Sequence, residues 1–168
     1  MPAPRVVLLM GVSASGKSAL GAALAGALGW TFEDADDYHS PASLAKMSRG
    51  EGLTDDDRAP WLARLAALVD RWATEGPPTV LACSALRQRY RDTLGADRPD
   101  VAAFWLDVPT VELAHRLRSR EGHVAGPDLL PSQLATFEPP ASGRLDGSLP
   151  IAALVDHVIA RLALGGDA

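Results

Sequence analysis

The sequence is poor in cysteine, asparagine and lysine, and it has no long apolar run. Cys83 is the single cysteine among 168 residues, which excludes an internal disulfide and a zinc site built from cysteines. The longest apolar stretch, Leu20–Trp30, is shorter than the roughly 20 residues of a transmembrane helix, and glycines interrupt it. We therefore expect a cytoplasmic protein in a reducing compartment, without a membrane partner.

The missing asparagine and the scarce lysine exclude further classes of protein. The guanine-reading motif N-K-x-D and the protein-kinase motif H-R-D-x-x-x-x-N both need asparagine, so neither is present. Lys17 and Lys46 are the only lysines, and the net charge is −5. Affinity for nucleic acid comes mostly from neutralising phosphates, which an acidic chain does poorly. We expect small-molecule partners and no nucleic acid.

Apolar runs alternate with helical patterns along the chain, which predicts an α/β fold with a parallel sheet covered on both faces. The length and the 47% apolar composition fit one domain over residues 1–168. The predicted strands are Arg5–Met10, Trp30–Glu33, Thr79–Cys83 and Ala102–Leu106. The predicted helices are Lys17–Leu28, Leu86–Leu94, Pro109–Arg120 and Pro150–Leu164, with a short helix from Pro41 and a longer one after Asp55–Asp57 that ends at Gly76.

A phosphate-binding loop lies between the first predicted strand and helix. The pattern G-x-x-x-x-G-K-[ST] is matched by Gly11, Val12, Ser13, Ala14, Ser15, Gly16, Lys17 and Ser18. Glycines let successive backbone N–H groups face the phosphates, and the helix N-terminus adds partial positive charge. Lys17 is expected to reach the β- and γ-phosphates, and the Ser18 hydroxyl to bind Mg²⁺. ATP and Mg²⁺ are the predicted cofactors.

Two acids follow the second predicted strand. At a spacing of two residues, Asp34 and Asp36 leave a strand on the same face and are expected to point toward the γ-phosphate. One carboxylate can then order Mg²⁺ through water while the other accepts a proton from the attacking hydroxyl. A solvated acidic loop explains the pair equally well. Phe104–Asp107 also resembles a Walker B strand, although Asp107 is as readily a helix cap.

With these motifs in hand, the chain resembles the small P-loop gluconokinases, which are related to shikimate and nucleoside monophosphate kinases. The resemblance runs from Val6 to about Pro140. Its most specific marks are Asp55-Asp-Asp-Arg58-x-Pro60-Trp61-Leu62 and Cys83-Ser-Ala-Leu-Arg-x-x-Tyr-Arg-Asp92. The others are the loop at 11–18, Asp34-x-Asp36, His39, Lys46-Met47-x-x-Gly50, Arg116-x-x-x-Arg120-x-Gly122-His123 and Leu130-x-Ser132-Gln133.

The resemblance implies a three-layer α/β/α fold with four to five parallel strands, a helical substrate-binding region at about 38–75 and a mobile lid at about 120–135. It implies transfer of the γ-phosphoryl group of ATP to the 6-hydroxyl of D-gluconate, and it suggests a homodimer. A kinase for another hydroxy-acid such as shikimate, or an inactive nucleotide-binding regulatory module, remains as an alternative.

The resemblance also implies roles for single residues. Lys17, Asp36 and Arg120 are expected to be catalytic, with Asp36 as the base and Arg120 stabilising transition-state charge. Asp34 is expected to hold Mg²⁺ through water, and Arg116 to stack on the base of the nucleotide. The expected substrate-binding residues are Asp36, His39, Arg58, Arg87, His123 and Gln133.

Several of these residues have a second interpretation. Arg58 can hold the gluconate carboxylate or pair with Asp55 or Asp56, and Trp61 is more easily explained by packing than by sugar binding. Ala14 stands where the family usually has glycine. The segment 141–150 has few large apolar residues, and we expect its strand to be reduced to two or three residues or lost.

Overall fold

The computed structural model describes residues 3–119 and 129–166 and has a five-stranded parallel sheet at its centre. The strand order is β2-β3-β1-β4-β5, with β1 in the middle. The strands are β1 Val6–Met10, β2 Thr31–Asp34, β3 Thr79–Ala82, β4 Val101–Asp107 and β5 Arg144–Asp146. All four neighbouring pairs are parallel, so the carboxyl ends of the strands meet at one edge, where ligands bind in this class of fold.

The central strand β1 is apolar at every position and is buried on both faces of the sheet. Val6, Leu8 and Met10 pack into one core, while Val7 and Leu9 pack into a second core on the opposite face. The first core includes side chains of helices α3 (Asp55–Thr74) and α4 (Gln88–Leu94), and the second includes side chains of helices α1 (Lys17–Leu28) and α7 (Ile151–Gly166). This arrangement confirms the predicted three layers.

The helices follow the prediction closely in the first half of the chain. They are α1 Lys17–Leu28, α2 Pro41–Ser48, α3 Asp55–Thr74, α4 Gln88–Leu94, α5 Thr110–Arg118, α6 Leu129–Thr136 and α7 Ile151–Gly166. A 3₁₀ turn, Ala35–Tyr38, follows β2. None of the helices in the described part of the chain is long and apolar enough to cross a membrane.

The fifth strand is present, so it is not lost. Its three residues confirm the expectation of a strand reduced to two or three residues. β5 has three residues and pairs with the end of β4, where Leu106 lies opposite the buried Leu145. Asp107 ends β4 and forms an ion pair of 2.8 Å with Arg144 on β5. Of the two interpretations of Asp107, the helix cap is not the arrangement that forms, because Pro109 is the N-cap residue of α5, Thr110–Arg118.

Candidate active site

The phosphate loop joins β1 to α1 at the carboxyl edge of the sheet, as predicted. Gly11 and Gly16 have φ of 143° and 98°, values that favour glycine. A Cβ on Gly11 would lie 2.8 Å from Ser15 Oγ, so the loop has no room for a side chain there. Gly16 is the N-cap residue of α1 without a side-chain cap, which leaves the first N–H groups of the helix for an anion.

Ala14 adopts a left-handed conformation with φ of 65° in the middle of the loop. This conformation costs about 1–2 kcal/mol for a residue with a Cβ. The Arg116 guanidinium on α5 compensates by donating hydrogen bonds to the carbonyls of Ala14 (3.2 Å), Ser15 (3.3 Å) and Gly147 (2.9 Å). Arg116 therefore lies against the outside of the loop, between it and the segment that follows β5.

Ser18 and Asp34, the two residues that were predicted to bind Mg²⁺, contact each other. Ser18 Oγ donates a hydrogen bond of 2.7 Å to Asp34 Oδ2, so two hard oxygen atoms lie side by side at the start of α1. The described residues contain no group of three His, Cys, Asp or Glu side chains that could hold a metal ion. This suits Mg²⁺, which keeps several waters and takes its remaining ligands from one or two protein oxygens and the substrate phosphates.

Asp36 lies in the 3₁₀ turn after β2, and not on the strand itself. The expectation that Asp34 and Asp36 leave one strand on the same face is wrong, because β2 ends at Asp34. Asp34 Oδ1 accepts the Asp36 N–H at 3.0 Å and so starts the turn. The side chain of Asp34 thus fixes the position of the backbone of Asp36.

The His39 imidazole supports the Asp36 carboxylate. His39 Nε2 lies 3.6 Å from Asp36 Oδ1, and this contact, with the charges of His39 and Lys17, holds the pKa of Asp36 below its ordinary value. His39 stacks on Trp61 with a centroid distance of 4.3 Å. Asp36 is therefore ionised at neutral pH. Trp61 is buried as a packing residue would be, and it also lines the cavity beside the phosphate loop.

A cavity of about 150 Å³ lies beside the phosphate loop and is lined by residues from distant parts of the chain. Its wall includes Ser13 of the loop, Asp36 and His39 from the turn, Arg58 of α3 and Gln133 of α6. Four of these residues were predicted to bind substrate from the family's motifs, and Ser13 was predicted to bind nucleotide. The structure brings all five together.

Arg58 enters the cavity without a carboxylate partner among the described residues. Its guanidinium lies over the Tyr90 ring at 5.7 Å, and its Nη1 is 3.5 Å from the Tyr90 hydroxyl. Asp55 instead accepts a hydrogen bond from the Tyr90 hydroxyl at 2.5 Å and pairs with Arg89. The alternative in which Arg58 pairs with Asp55 is therefore not the arrangement that forms.

Tyr90 is a site residue that the sequence analysis did not single out. It is buried, lines the cavity and links Asp55 to Arg58. Tyr90 lies in the specific Cys83–Asp92 motif, which was the signal available for it.

Three further residues, Arg87, Arg120 and His123, were predicted to belong to the site. Arg87 precedes α4 and is not among the residues that line the cavity, and its buried Nε has no hydrogen-bond partner in the described part of the chain. Arg120, His123 and most of the expected lid lie outside the described residues. The remainder of that segment, from Leu129, forms α6.

Comparisons with known proteins identify the family of the chain. A family model described as an AAA domain matches residues 6–140. The chain is 47% identical to a gluconokinase of Gluconobacter oxydans (strain 621H) over 82% of this chain and 77% of the relative. It is 43% identical to a probable gluconokinase of Mus musculus, over 89% of this chain and 94% of the relative.

A solved structure is similar to this chain over almost its whole length. The crystal structure of a gluconokinase from Sinorhizobium meliloti 1021 superposes with a TM-score of 0.84 and 40% sequence identity. The match covers 99% of this chain and 96% of that one.

Proposed function

The chain belongs to the gluconokinase family of P-loop kinases, and we propose that it transfers the γ-phosphoryl group of ATP to the 6-hydroxyl of D-gluconate. The products are ADP and 6-phospho-D-gluconate. The observation that carries the proposal is the cavity beside the phosphate loop, whose wall holds both an ionised carboxylate, Asp36, and an arginine without a carboxylate partner in the described chain, Arg58.

Arg58 is the proposed site for the gluconate carboxylate. A guanidinium donates two parallel hydrogen bonds to a carboxylate, and such charge-assisted pairs are about twice as strong as neutral ones. The Tyr90 ring and hydroxyl restrict where the Arg58 side chain can lie. Gluconate held at its carboxylate would then extend its 6-hydroxyl end toward the phosphate loop, with His39 and Gln133 lining the cavity.

Asp36 is the proposed base. As the 6-hydroxyl oxygen forms its bond to the γ-phosphorus, its proton passes to the Asp36 carboxylate, and the bond from the phosphorus to the bridging oxygen breaks to release ADP. The low pKa of Asp36 keeps the carboxylate free to accept that proton at neutral pH. Lys17 and the loop N–H groups are proposed to bind the phosphates. Arg116, which donates to the carbonyls of Ala14 and Ser15, is proposed to stack on the base of the nucleotide.

Ser18 and Asp34 are the proposed residues for Mg²⁺, with Asp34 acting through water. The ion, when bound, neutralises charge on the β- and γ-phosphates. Arg87 is proposed to contact the substrate or the transferring phosphoryl group, which would satisfy its buried Nε. Arg120 and His123 keep their proposed roles in transition-state stabilisation and substrate binding.

We also propose a cytoplasmic location, a homodimer and a single domain over 1–168. The location rests on the sequence, whose single cysteine, Cys83, excludes an internal disulfide. The homodimer rests on the family resemblance, and light scattering after size-exclusion chromatography tests it.

A coupled ADP assay over a panel of acceptors tests the proposed substrate. We expect turnover with D-gluconate and Mg²⁺–ATP, and at least a hundredfold lower kcat/KM with shikimate and with D-glucose, which lacks the carboxylate. Equal turnover with D-glucose would contradict the role of Arg58.

A further inference from the structure

Two hydrogen bonds join helix α6 to the phosphate loop. The Ser13 N–H donates to Gln133 Oε1 at 2.7 Å, and Gln133 Nε2 donates to Ser13 Oγ at 2.9 Å. Only this orientation of the amide satisfies both contacts, because an N–H must face a carbonyl oxygen. The side chain of Gln133 therefore uses both its ends on one residue that lies 120 positions away in the sequence.

The first of these bonds occupies a donor of the phosphate loop. Such a loop binds phosphate because its backbone N–H groups face the anion, and Ser13 lies within the G-x-x-x-x-G-K-[ST] segment. A backbone N–H carries one proton. A phosphate oxygen that binds the Ser13 N–H must therefore displace the Gln133 carbonyl.

The same helix forms part of the cavity wall. Leu129, Ser132 and Gln133 line the cavity, and the buried Leu130 belongs to the apolar cluster that contains Val12 and Ala14 of the loop. The end of α6 is tied to the start of α4, since the Glu138 N–H donates to the Leu86 carbonyl at 2.8 Å. A rearrangement of Gln133 thus changes a surface that the acceptor contacts.

We propose that Gln133 is a positioning residue that couples the nucleotide site to the acceptor cavity. Phosphate oxygens displace its carbonyl from the Ser13 N–H, and the freed amide changes the cavity wall. By thermodynamic reciprocity, the acceptor changes the affinity for nucleotide by the same factor. The identity of the acceptor as gluconate rests on the proposed function, whereas the competition at Ser13 does not.

Calorimetric titration with a non-hydrolysable ATP analogue and Mg²⁺, without gluconate, tests the competition. Gln133→Leu and Gln133→Met have no carbonyl to displace, so we expect both to bind the analogue about three- to tenfold more tightly than the unchanged chain. Thr136→Val is the matched control on the same helix, because the Thr136 hydroxyl bonds only to the Ser132 carbonyl among the described contacts. The affinity of the Thr136→Val variant for the analogue should stay within twofold of that of the unchanged chain.

Unchanged or weaker binding by folded Gln133 variants, verified by thermal unfolding, would overturn the proposal. The unchanged chain provides a second readout that needs no variant. In NMR spectra, the Ser13 N–H and the Gln133 side-chain amide should both shift when the analogue is added. A Gln133 amide signal that does not move would equally overturn the proposal.

Gluconate titrations test the coupling itself. The analogue should change the dissociation constant of gluconate at least fivefold in the unchanged chain and less than twofold in Gln133→Leu. An equal change in both proteins would contradict the coupling. The nucleotide titration contains no gluconate, so its outcome is independent of whether gluconate is the acceptor.

Discussion

The indole Nε1 of Trp61 donates a buried hydrogen bond of 2.7 Å to the carbonyl of Ala35. This bond ties helix α3 to the turn that carries Asp36, and the same indole stacks on His39, which contacts the Asp36 carboxylate. Trp61 therefore supports the proposed base from two directions, through the backbone of the turn and through His39.

Trp61→Phe should lower kcat by about three- to tenfold, because small displacements of a reacting group slow the chemical step. The ring still stacks on His39, but the Ala35 carbonyl loses its donor. The KM for gluconate should change less than twofold. Trp72→Phe is the control, since Trp72 is a buried residue of the same helix whose substitution should affect thermal stability alone. Equal losses of kcat in both variants would contradict the positioning role.

Asp36→Asn should lower kcat by about 10²–10⁴, the usual contribution of a positioned acid–base group. Nucleotide affinity should be retained, because Asp36 lies beside the cavity and outside the phosphate loop. Asp37→Asn, at the neighbouring exposed carboxylate, is the control. Steady-state kinetics and analogue titrations measure both quantities. Near-normal turnover by Asp36→Asn would show that Asp36 is not the base.

Arg58→Lys should raise the KM for gluconate by about tenfold or more, because lysine keeps the charge but loses the two parallel hydrogen bonds. Arg64→Lys is the matched control on α3, since the Arg64 guanidinium donates to the Tyr38 carbonyl at 3.0 Å and does not line the cavity. If both substitutions left the KM unchanged, the carboxylate would have to bind elsewhere.

The ion pair between Lys46 and Asp57 makes stability depend on pH. Lys46, together with hydrogen bonds from Thr54, lowers the pKa of Asp57 from 3.8 to about 2. Because the folded-state pKa is depressed, the pair stabilises the fold above pH 4, and that stabilisation is lost as the pH falls toward 2. Asp57→Asn should therefore lower the melting temperature at pH 7, with a gap to the unchanged chain that closes below pH 4. A difference in melting temperature that stays constant from pH 7 to pH 3 would show that the Lys46–Asp57 ion pair is not its cause.

The elements that were predicted well have strong local patterns. β1 is a continuous apolar run, and α1 begins at Lys17 and ends at Leu28, as the sequence indicates. Helix α3 begins with a capping box between Thr54 and Asp57, so the three acids that were predicted to precede the helix form its first turn. In these three elements, the local sequence favours the same secondary structure that the packed fold contains.

The elements that were missed depend on distant contacts. Helix α6 is short and contains Pro131, and its buried Leu130 packs against the phosphate loop about 115 residues earlier in the chain. The 3₁₀ turn forms because the Asp34 side chain accepts the Asp36 N–H, which the alternation of a strand does not reveal. The site residues came from motifs, whereas the links through Tyr90 and Trp61 required the packed structure.

The formation of 6-phospho-D-gluconate tests the central claim most directly. Phosphorus NMR of a mixture of the protein, ATP, Mg²⁺ and D-gluconate should show loss of the γ-phosphate signal and equal growth of ADP and of one phosphate monoester coupled to the protons on carbon 6. Omission of gluconate should leave the ATP intact. A folded, ATP-binding protein that forms no monoester, or forms one at another carbon, would contradict the account.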